Sequence, residues 1–538
     1  LIAEPFHIGV NAADVPFLSV TSGDWNVGTT WNKGTVPTCT DVVTIANGHT
    51  VTSSSSGNFA KNITIATGGT LVVSGGDLTV GCTLNNNTLT NNGTLTVSGG
   101  LLAVNGNISN AAGSTFNHTG GNIDIDGNNG GSATGSVASG TPLLLFLSNN
   151  INLAGGTITI IDPHTATTNT NAVAVKFDTS SATANSRNTS PSHILQFGDG
   201  VSTDAGGNTS GFFIDSWSTT GYLVIGKLVV NGATGTNRFV SSRYNLSVRG
   251  DIDVEANSTL NLATPLVLGG NLLVKLTGNY TNTSGTALNY VIDNTGSNLT
   301  FSPVTLPQTI TNNGVMANAV ASPTANLFSL EVNNTNAVGV TLNSPISISG
   351  TLTMTSGIIN TTNTNLLTLG TATAAGILAG TPSATNMVRG PFARTIANAN
   401  ANTNYILFPV GKTTYAPVWA APATTAVSVM KAETFDSNTG TQSAAIANMA
   451  TNRRWELPLV SGTITNINVR LGDAGILTTS IPVQAPSASG LYTSTFGSVA
   501  TAVAGVSTQS TTPVLSANYT GFLSYADSNA CTGVPTPG

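Results

Sequence analysis

Charge is scarce in this chain: 7% of its 538 residues are Asp, Glu, Lys or Arg, against about 25% in ordinary soluble domains. The 16 basic and 22 acidic residues leave a formal net charge of −6. No basic stripe exists to hold nucleic acid, and no cationic face to meet an anionic membrane. Long apolar runs are missing as well. The longest, Leu143 to Leu147, falls far short of the roughly 20 residues a spanning helix needs and reads as one buried strand. Neither nucleic acid nor membrane insertion is therefore expected. The five histidines, His7, His49, His118, His164 and His193, stand singly, with no second His at i+2 or i+4, so no metal box forms. A G-x-S-x-G elbow and a P-loop are also missing. These absences remove the usual signatures of an enzyme, and the chain is expected to catalyse nothing.

What is present is repetition. The phrase GGTLVVSGGDLTV (Gly68 to Val80) returns as NGTLTVSGGLLAV (Asn92 to Val104) and as AGSTFNHTGGNIDI (Ala112 to Ile125). Its Gly-Gly pairs at 75/76, 99/100 and 120/121 stand 24 and 21 residues apart. Short alternating strands at a period in the low twenties mark a β-solenoid, in which each coil stacks on the one before. The 40% hydrophobic content supplies a core, while Asn, Thr, Ser and the 59 glycines supply polarity and turns without charge. Dense Gly and β-branched residues exclude useful helices. The fold class is all-β: a β-solenoid, a right-handed parallel β-helix, followed by an antiparallel β-sandwich-like domain. Leu71, Val73, Leu78, Val80, Leu95, Val97, Leu102, Val104, Ile123 and Ile125 are expected to point inward. A surface this poor in charge has weak protection against self-association, so a homopolymer of the chain is the expected partner.

Four segments follow. Residues 1–20 are apolar yet outside the repeat: either a cap over the first coil or an arm adding a strand to a neighbouring subunit. The arm would use Ile2, Phe6, Ile8, Val15, Phe17 and Leu18. Residues 21–384 form the solenoid. Its start, Val42 to Ile45, Asn47-Gly48 and Thr50 to Thr52, reads as a hairpin, with Trp25 and Trp31 plugging the end. Residues 128–225 are less regular and read as long loops or inserted hairpins. Residues 385–528, richer in Arg, Pro and aromatics, read as the sandwich, and residues 529–538 as a tail or linker.

Few positions carry chemistry. Asp124 and Asp126 in NIDIDGNNGG, with Asn128 and Asn129, resemble a calcium-loop fragment; the competing reading is a solvated acidic face. Asp251, Asp253 and Glu255 alternate on one strand and share a face. A glycosidase needs two carboxyls about 5 to 9.5 Å apart, but Thr, Asn and Val flank these three where Arg, Lys and aromatic platforms would be expected. No other cofactor is expected. Cys39 and Cys82 both fall in the first coils and form a disulfide candidate in an extracellular chain. Cys531 is left over. Low charge, Asn-x-Thr/Ser triplets and Thr-rich strands favour an extracellular or cell-surface address, and the chain, starting at Leu1, reads as a processed mature form.

The segment W-x(5)-W-x(2)-G-x(2)-P-x(3)-D-V-V-T-I-x(2)-G-H-T-V, carried by Trp25, Trp31, Gly34, Pro37, Asp41 and Gly48 to Val51, resembles large secreted β-helical surface proteins of Bacteroidetes. So do Gly380, Asn386, Val388, Gly390, Pro391 and Arg394, the run Phe408 to Lys412 with Tyr415 and Pro417, and Asn452, Arg453 and Trp455. The resemblance covers both ends of the chain. It implies export by the type IX route and display or release at the cell surface. Such proteins usually end in a C-terminal sorting domain; none follows Cys531, and it is expected to have been cleaved or to lie beyond this sequence. The expected function is a secreted structural protein, a subunit of an extracellular filament or sheath assembled through β-strand contacts. The alternative is an adhesin stalk binding surface glycans or another surface. A polysaccharide-degrading β-helix enzyme comes third.

Overall fold

The computed structural model describes residues 15–82, 87–127, 141–162, 173–178, 188–202, 212–216, 223–234, 238–242, 246–261, 273–276, 280–282, 291–293, 306–314, 326–327, 329–497 and 500–528. Among these the regular structure is all strand, apart from the 3-10 turns Gly28–Thr30 and Ser516–Asn518. Two compact units are formed: Leu1–Leu272 with Thr281–Thr286, and Leu273–Tyr280 with Ala287–Gly538.

The first unit is built from three-strand coils. One coil contributes Asn87–Asn91, Thr94–Val97 and Leu101–Val104; the next contributes Gly106–Asn110, Thr115–His118 and Asn122–Asp126. Each strand pairs in parallel with its counterpart one coil on, so three parallel ladders run through the unit. Parallel stacking follows from the repeated phrase, which puts like residues over like. Leu71 faces Leu95, Leu95 faces Phe116, and Leu78, Leu102 and Ile123 form a second rank. All ten residues expected inward are fully buried. The Gly-Gly pairs mark one corner. Gly76, Gly100 and Gly121 hold φ of +59°, +68° and +74°, and a Cβ at any of them would run into the backbone of the preceding coil. Only glycine meets both demands. Asn91 and Asn110 sit fully buried at another position of the stack, where Asn91 Nδ2 donates to Asn110 Oδ1 at 3.0 Å and to Thr115 O at 2.9 Å.

One expectation for this unit needs correction, and a second needs narrowing. Val42–Ile45 and Thr50–Ser53 are no hairpin: the first pairs with Phe17–Leu18 and Asn62–Ile65, the second with Gly23–Asp24 and Thr70–Val73, all in parallel. Gly48, at φ +77°, turns a corner between sheets; a left-handed glycine serves a solenoid corner as well as a hairpin. The described strands within 128–225 also stay in the stack; the residues between them that would form the expected loops or hairpins lie outside the described residues. Leu144–Phe146, Val173–Phe177 and Phe212–Ser216 continue one ladder, Asn150–Leu153 and Asn188–Thr189 a second, and Thr157–Asp162 and Ile194–Phe197 the third. Longer connections hide the period there while the strands keep it.

The second unit also starts as stacked parallel strands. Gln308–Asn312, Val340–Leu342, Ile359–Asn360, Val388–Arg389 and Val410–Gly411 form one ladder. Leu330–Asn333, Thr351–Ser356 and Ile377–Gly380 form another. Ile346–Ile348, Leu367–Leu369 and Phe392–Ile396 form the third. The composition changes at 385, but parallel stacking runs on to Val410–Gly411. Phe392–Ile396 is the hinge of topology, parallel to Leu367–Leu369 on one side and antiparallel to Ser428–Phe435 on the other. Beyond it lie two largely antiparallel groups. Ser428–Phe435, Arg454–Glu456, Phe522–Ser528 and Ser480–Ala485 make one. Ile406–Phe408, Val418–Thr424, Ile464–Gly472, Ser507–Ser510 and Ala500–Val503 make the other. Thr508 Oγ1 donates to Ser480 O at 2.6 Å from one to the other.

Candidate functional site

The opening end of the first coil is built from aromatics. Trp25 and Trp31 are buried and meet edge to face with ring centroids 5.0 Å apart. Trp31 Nε1 donates to Trp25 O at 2.8 Å. Phe17 packs edge-on to Trp31, 6.3 Å between centroids, and Lys33 Nζ lies 4.5 Å from the Phe17 ring centre. Phe17–Leu18 pairs with Val43 and Thr44 of its own chain. Its other edge is closed by Asn32, whose Oδ1 accepts from Leu18 N at 3.0 Å and whose Nδ2 donates to Pro16 O at 3.1 Å. Of the six arm residues, Phe17 is thus an intramolecular cap and not an exposed anchor, because its ring completes the Trp cluster. Val15 and Leu18 remain 41% exposed; Ile2, Phe6 and Ile8 lie outside the described residues. Trp31→Ala should cost about 3–5 kcal/mol, as for other buried aromatics, read as a lower melting temperature. An unchanged melt would show that the plug does not hold this end.

Cys39 and Cys82, 43 positions apart in sequence, are joined by a disulfide with Cα atoms 5.5 Å apart. Closing a loop of that length removes about 4 kcal/mol of unfolded-chain entropy in the chain-entropy model. Cys39→Ser with Cys82→Ser should lower stability by that order in a denaturant melt, and reducing agent should lower the native protein to the same level. Equal stability of oxidised and reduced protein would remove the bond from the stability argument.

The acidic positions are not drawn into one site. Asp124 and Asp126 take outward positions on Asn122–Asp126, and Asn128 lies outside the described residues. Burial pushes the Asp124 carboxyl up, against a hydrogen bond from Thr159 and with the charge of Asp199 adding to the rise. Asp199 serves its own turn, accepting from Val201 N at 2.9 Å and Ser202 N at 2.7 Å. Among the described residues no group of three His, Cys, Asp or Glu side chains is placed to hold a metal ion. Further along, Asp253 is met by Lys227, Nζ to Oδ2 at 2.5 Å. Burial disfavours the Lys227 charge, but the Asp253 hydrogen bond and the charges of Asp253, Asp251 and Glu255 outweigh it and leave its pKa raised. A lysine, rather than a carboxyl partner, sits against the central carboxylate.

Two histidines taken singly in the sequence come together instead. His118 and His193 are buried, their rings edge to face with centroids 5.0 Å apart, and His118 Nδ1 lies 3.1 Å from His193 Nε2. Their 75-residue separation carries no spacing signal, since connections of variable length intervene. In the second unit, residues singled out by their motifs prove structural. Trp455 Nε1 and Thr434 Oγ1 both donate to Ala416 O, at 2.8 and 2.9 Å. Arg394, buried in the hinge strand, donates Nη1 to Leu407 O at 2.7 Å, and burial pulls its pKa down to about 10. Lys412 Nζ pairs with Glu433 Oε1 at 2.8 Å. No protein-family model, curated protein or solved structure matches the chain.

Proposed function

We propose that the chain is a secreted structural protein, a subunit of an extracellular filament or sheath assembled through β-strand contacts. The observation carrying this reading is a chain of β-sheets with almost no charge, in the parallel coils and in the antiparallel groups alike, whose edge strands keep apolar side chains in solvent. Ile377–Gly380 ends its ladder with Ile377 63% exposed, and Ala500–Val503 ends its sheet with Val503 53% exposed. Edge strands of this kind, without the charges that normally guard them, are where a second chain adds by strand pairing. The Cys39–Cys82 disulfide fits an oxidising compartment outside the cytosol, in keeping with the Bacteroidetes resemblance and export by the type IX route.

Electron microscopy of concentrated protein tests the reading: fibres are expected for the native chain. Ile377→Lys, which sets a charge on the edge, should leave the fold intact and shorten or abolish the fibres. Single particles at every concentration would sink the filament reading and favour the adhesin stalk.

A further inference from the structure

The buried histidine pair does something the other inward positions do not. His118 occupies the rank held by Val97 in the preceding coil and by Leu153 in the next, so an imidazole stands between aliphatic side chains, in a rank that ends on the buried hydroxyls of Ser53 and Thr189. Its Nε2 lies 3.3 Å from Gly121 O, which assigns the His118 proton to Nε2, since a carbonyl can only accept. His118 Nδ1 is then an acceptor, and His193 Nε2–H donates to it at 3.1 Å. That leaves His193 Nδ1 as a bare lone pair, buried with no partner. Beside His193 is a small cavity of about 10 Å³ lined by Leu144, Phe146, Leu153, Ile158 and Val175 among others. Its walls are apolar, and a water would find no second polar partner there.

Among the described residues no charged side chain bonds either ring; Arg249 reaches the neighbouring strand, its Nη1 donating to Thr189 O at 2.5 Å. The inward residues of the strands packed around the pair include Val97, Phe146, Leu153, Leu195 and Ile225, with the buried Thr189 next to Leu153 in the same rank. The ionisable side chains described on those strands point outward: Asp124 and Asp126, and Lys176, which pairs with Asp178 at 3.0 Å. The first added proton must go to His193 Nδ1, making an imidazolium whose new N–H has no acceptor. A second, on His118 Nδ1, would oppose the His193 Nε2–H. A buried cation with neither partner nor water is strongly disfavoured.

We propose that His118 and His193 form an acid-opened seam in the first unit, where protonation loosens the stack from the coil carrying Thr115–His118 to that carrying Ile194–Phe197, with the coil of Asn150–Leu153 and Thr157–Asp162 between them. Burial holds the His118 pKa down to about 4; burial, with His118 beside it, holds that of His193 down to about 3. In an opened state both return to about 6.5. The opened form therefore binds more protons, so closure is fully favoured above about pH 6.5 and weakens as pH falls toward the depressed values. Each pH unit in that window shifts opening by up to about tenfold per histidine, and about a hundredfold for the two together. Carboxylates with ordinary pKa values titrate mainly below about pH 4.5, so the upper part of the window reports the histidines.

Hydrogen exchange on the whole chain, corrected for the intrinsic pH dependence of exchange, tests this between about pH 6.5 and about pH 4.5. In the native protein, protection of Thr115–His118 and Ile194–Phe197 should fall with that slope while Leu71 to Val80 keeps its own. His118→Leu with His193→Leu replaces both rings with aliphatic side chains and should flatten the response. An equal fall in the double variant, or no fall in the native protein, overturns the seam. If the double variant does not fold, the native protein still decides the matter by histidine NMR titration. Two rings must stay neutral below the ordinary histidine range; no ring doing so would overturn the proposal.

Discussion

Leu95→Asp should unfold or severely destabilise the first unit. Leu95 is fully buried and stacked between Leu71 and Phe116 in adjoining coils. The inward positions around it are apolar, so a carboxylate there has neither a counter-ion nor water. Burying an unpaired charge belongs to the short list of changes that cost about 4 kcal/mol or more. In a cooperative unit of this size that corresponds to a fall in melting temperature of roughly 8–16 °C. Thr96 is the control. It points outward beside Leu95, in register with Val72 and Asn117, and Thr96→Asp should move stability by no more than about 0.5 kcal/mol. If the two variants melt alike, the inward and outward faces of this strand have been assigned wrongly, and with them the register of the whole ladder.

That register was legible because alternation at period 2 declares which residues share a face, and a phrase repeated at similar spacing declares which strands stack. Leu71, Leu95 and Leu102 could be placed from those two facts alone. Alternation does not say which neighbour a strand pairs with, so Asn47-Gly48 between two alternating runs read as a hairpin where the structure has a corner. Repeats stop being visible when connections lengthen. Phe116 follows Leu95 by 21 residues, but Ile151 follows Phe116 by 35, and the coils from Leu144 to Ile225 were hidden by that change and by strands such as Leu223–Ile225, buried at every position, that lose the alternation. The histidine contact was out of reach for the same reason: it needs the rank of His118 and the exact path of the chain to His193. The end cap was half legible. Apolar residues at 15–20 announced burial, but which surface takes Phe17 depends on Trp31 being turned toward it. At 385 composition misled in the opposite sense, because Arg394 and its neighbours look unlike the repeat while still extending its ladders.

Asp473→Ala should destabilise the second unit by about 3 kcal/mol, the low end of what breaking a buried ion pair costs. Asp473 and Arg453 are both buried, with Arg453 Nε 3.2 Å from Asp473 Oδ1, and Tyr525 Oη donates to Asp473 Oδ2 at 2.8 Å. Burial, and Asp473 beside it, push the Tyr525 pKa up, so the hydroxyl stays protonated and remains a donor. Arg453 also binds Asp436 and donates Nη2 to Thr414 Oγ1 at 2.7 Å. Removing Asp473 leaves a buried hydroxyl without its acceptor and a guanidinium with one anion instead of two. Asp436 limits the loss, which is why the low end of the range is expected. Asp473→Asn keeps an acceptor oxygen and should cost less than Asp473→Ala; Tyr525→Phe should cost about 1.5–3 kcal/mol, as for a hydrogen bond to a charged group. Acid should act on the same cluster. Burial alone would raise the Asp436 pKa, but hydrogen bonds from Thr413 and the Arg453 charge hold it below the usual carboxylate range. The unfolded chain thus takes up the proton first: this contribution is complete above about pH 4 and fades as pH falls through the depressed value. Thermal melts of the three variants near neutral pH decide the matter. If Asp473→Ala melts with the native protein, the cluster is a consequence of the fold and not one of its supports.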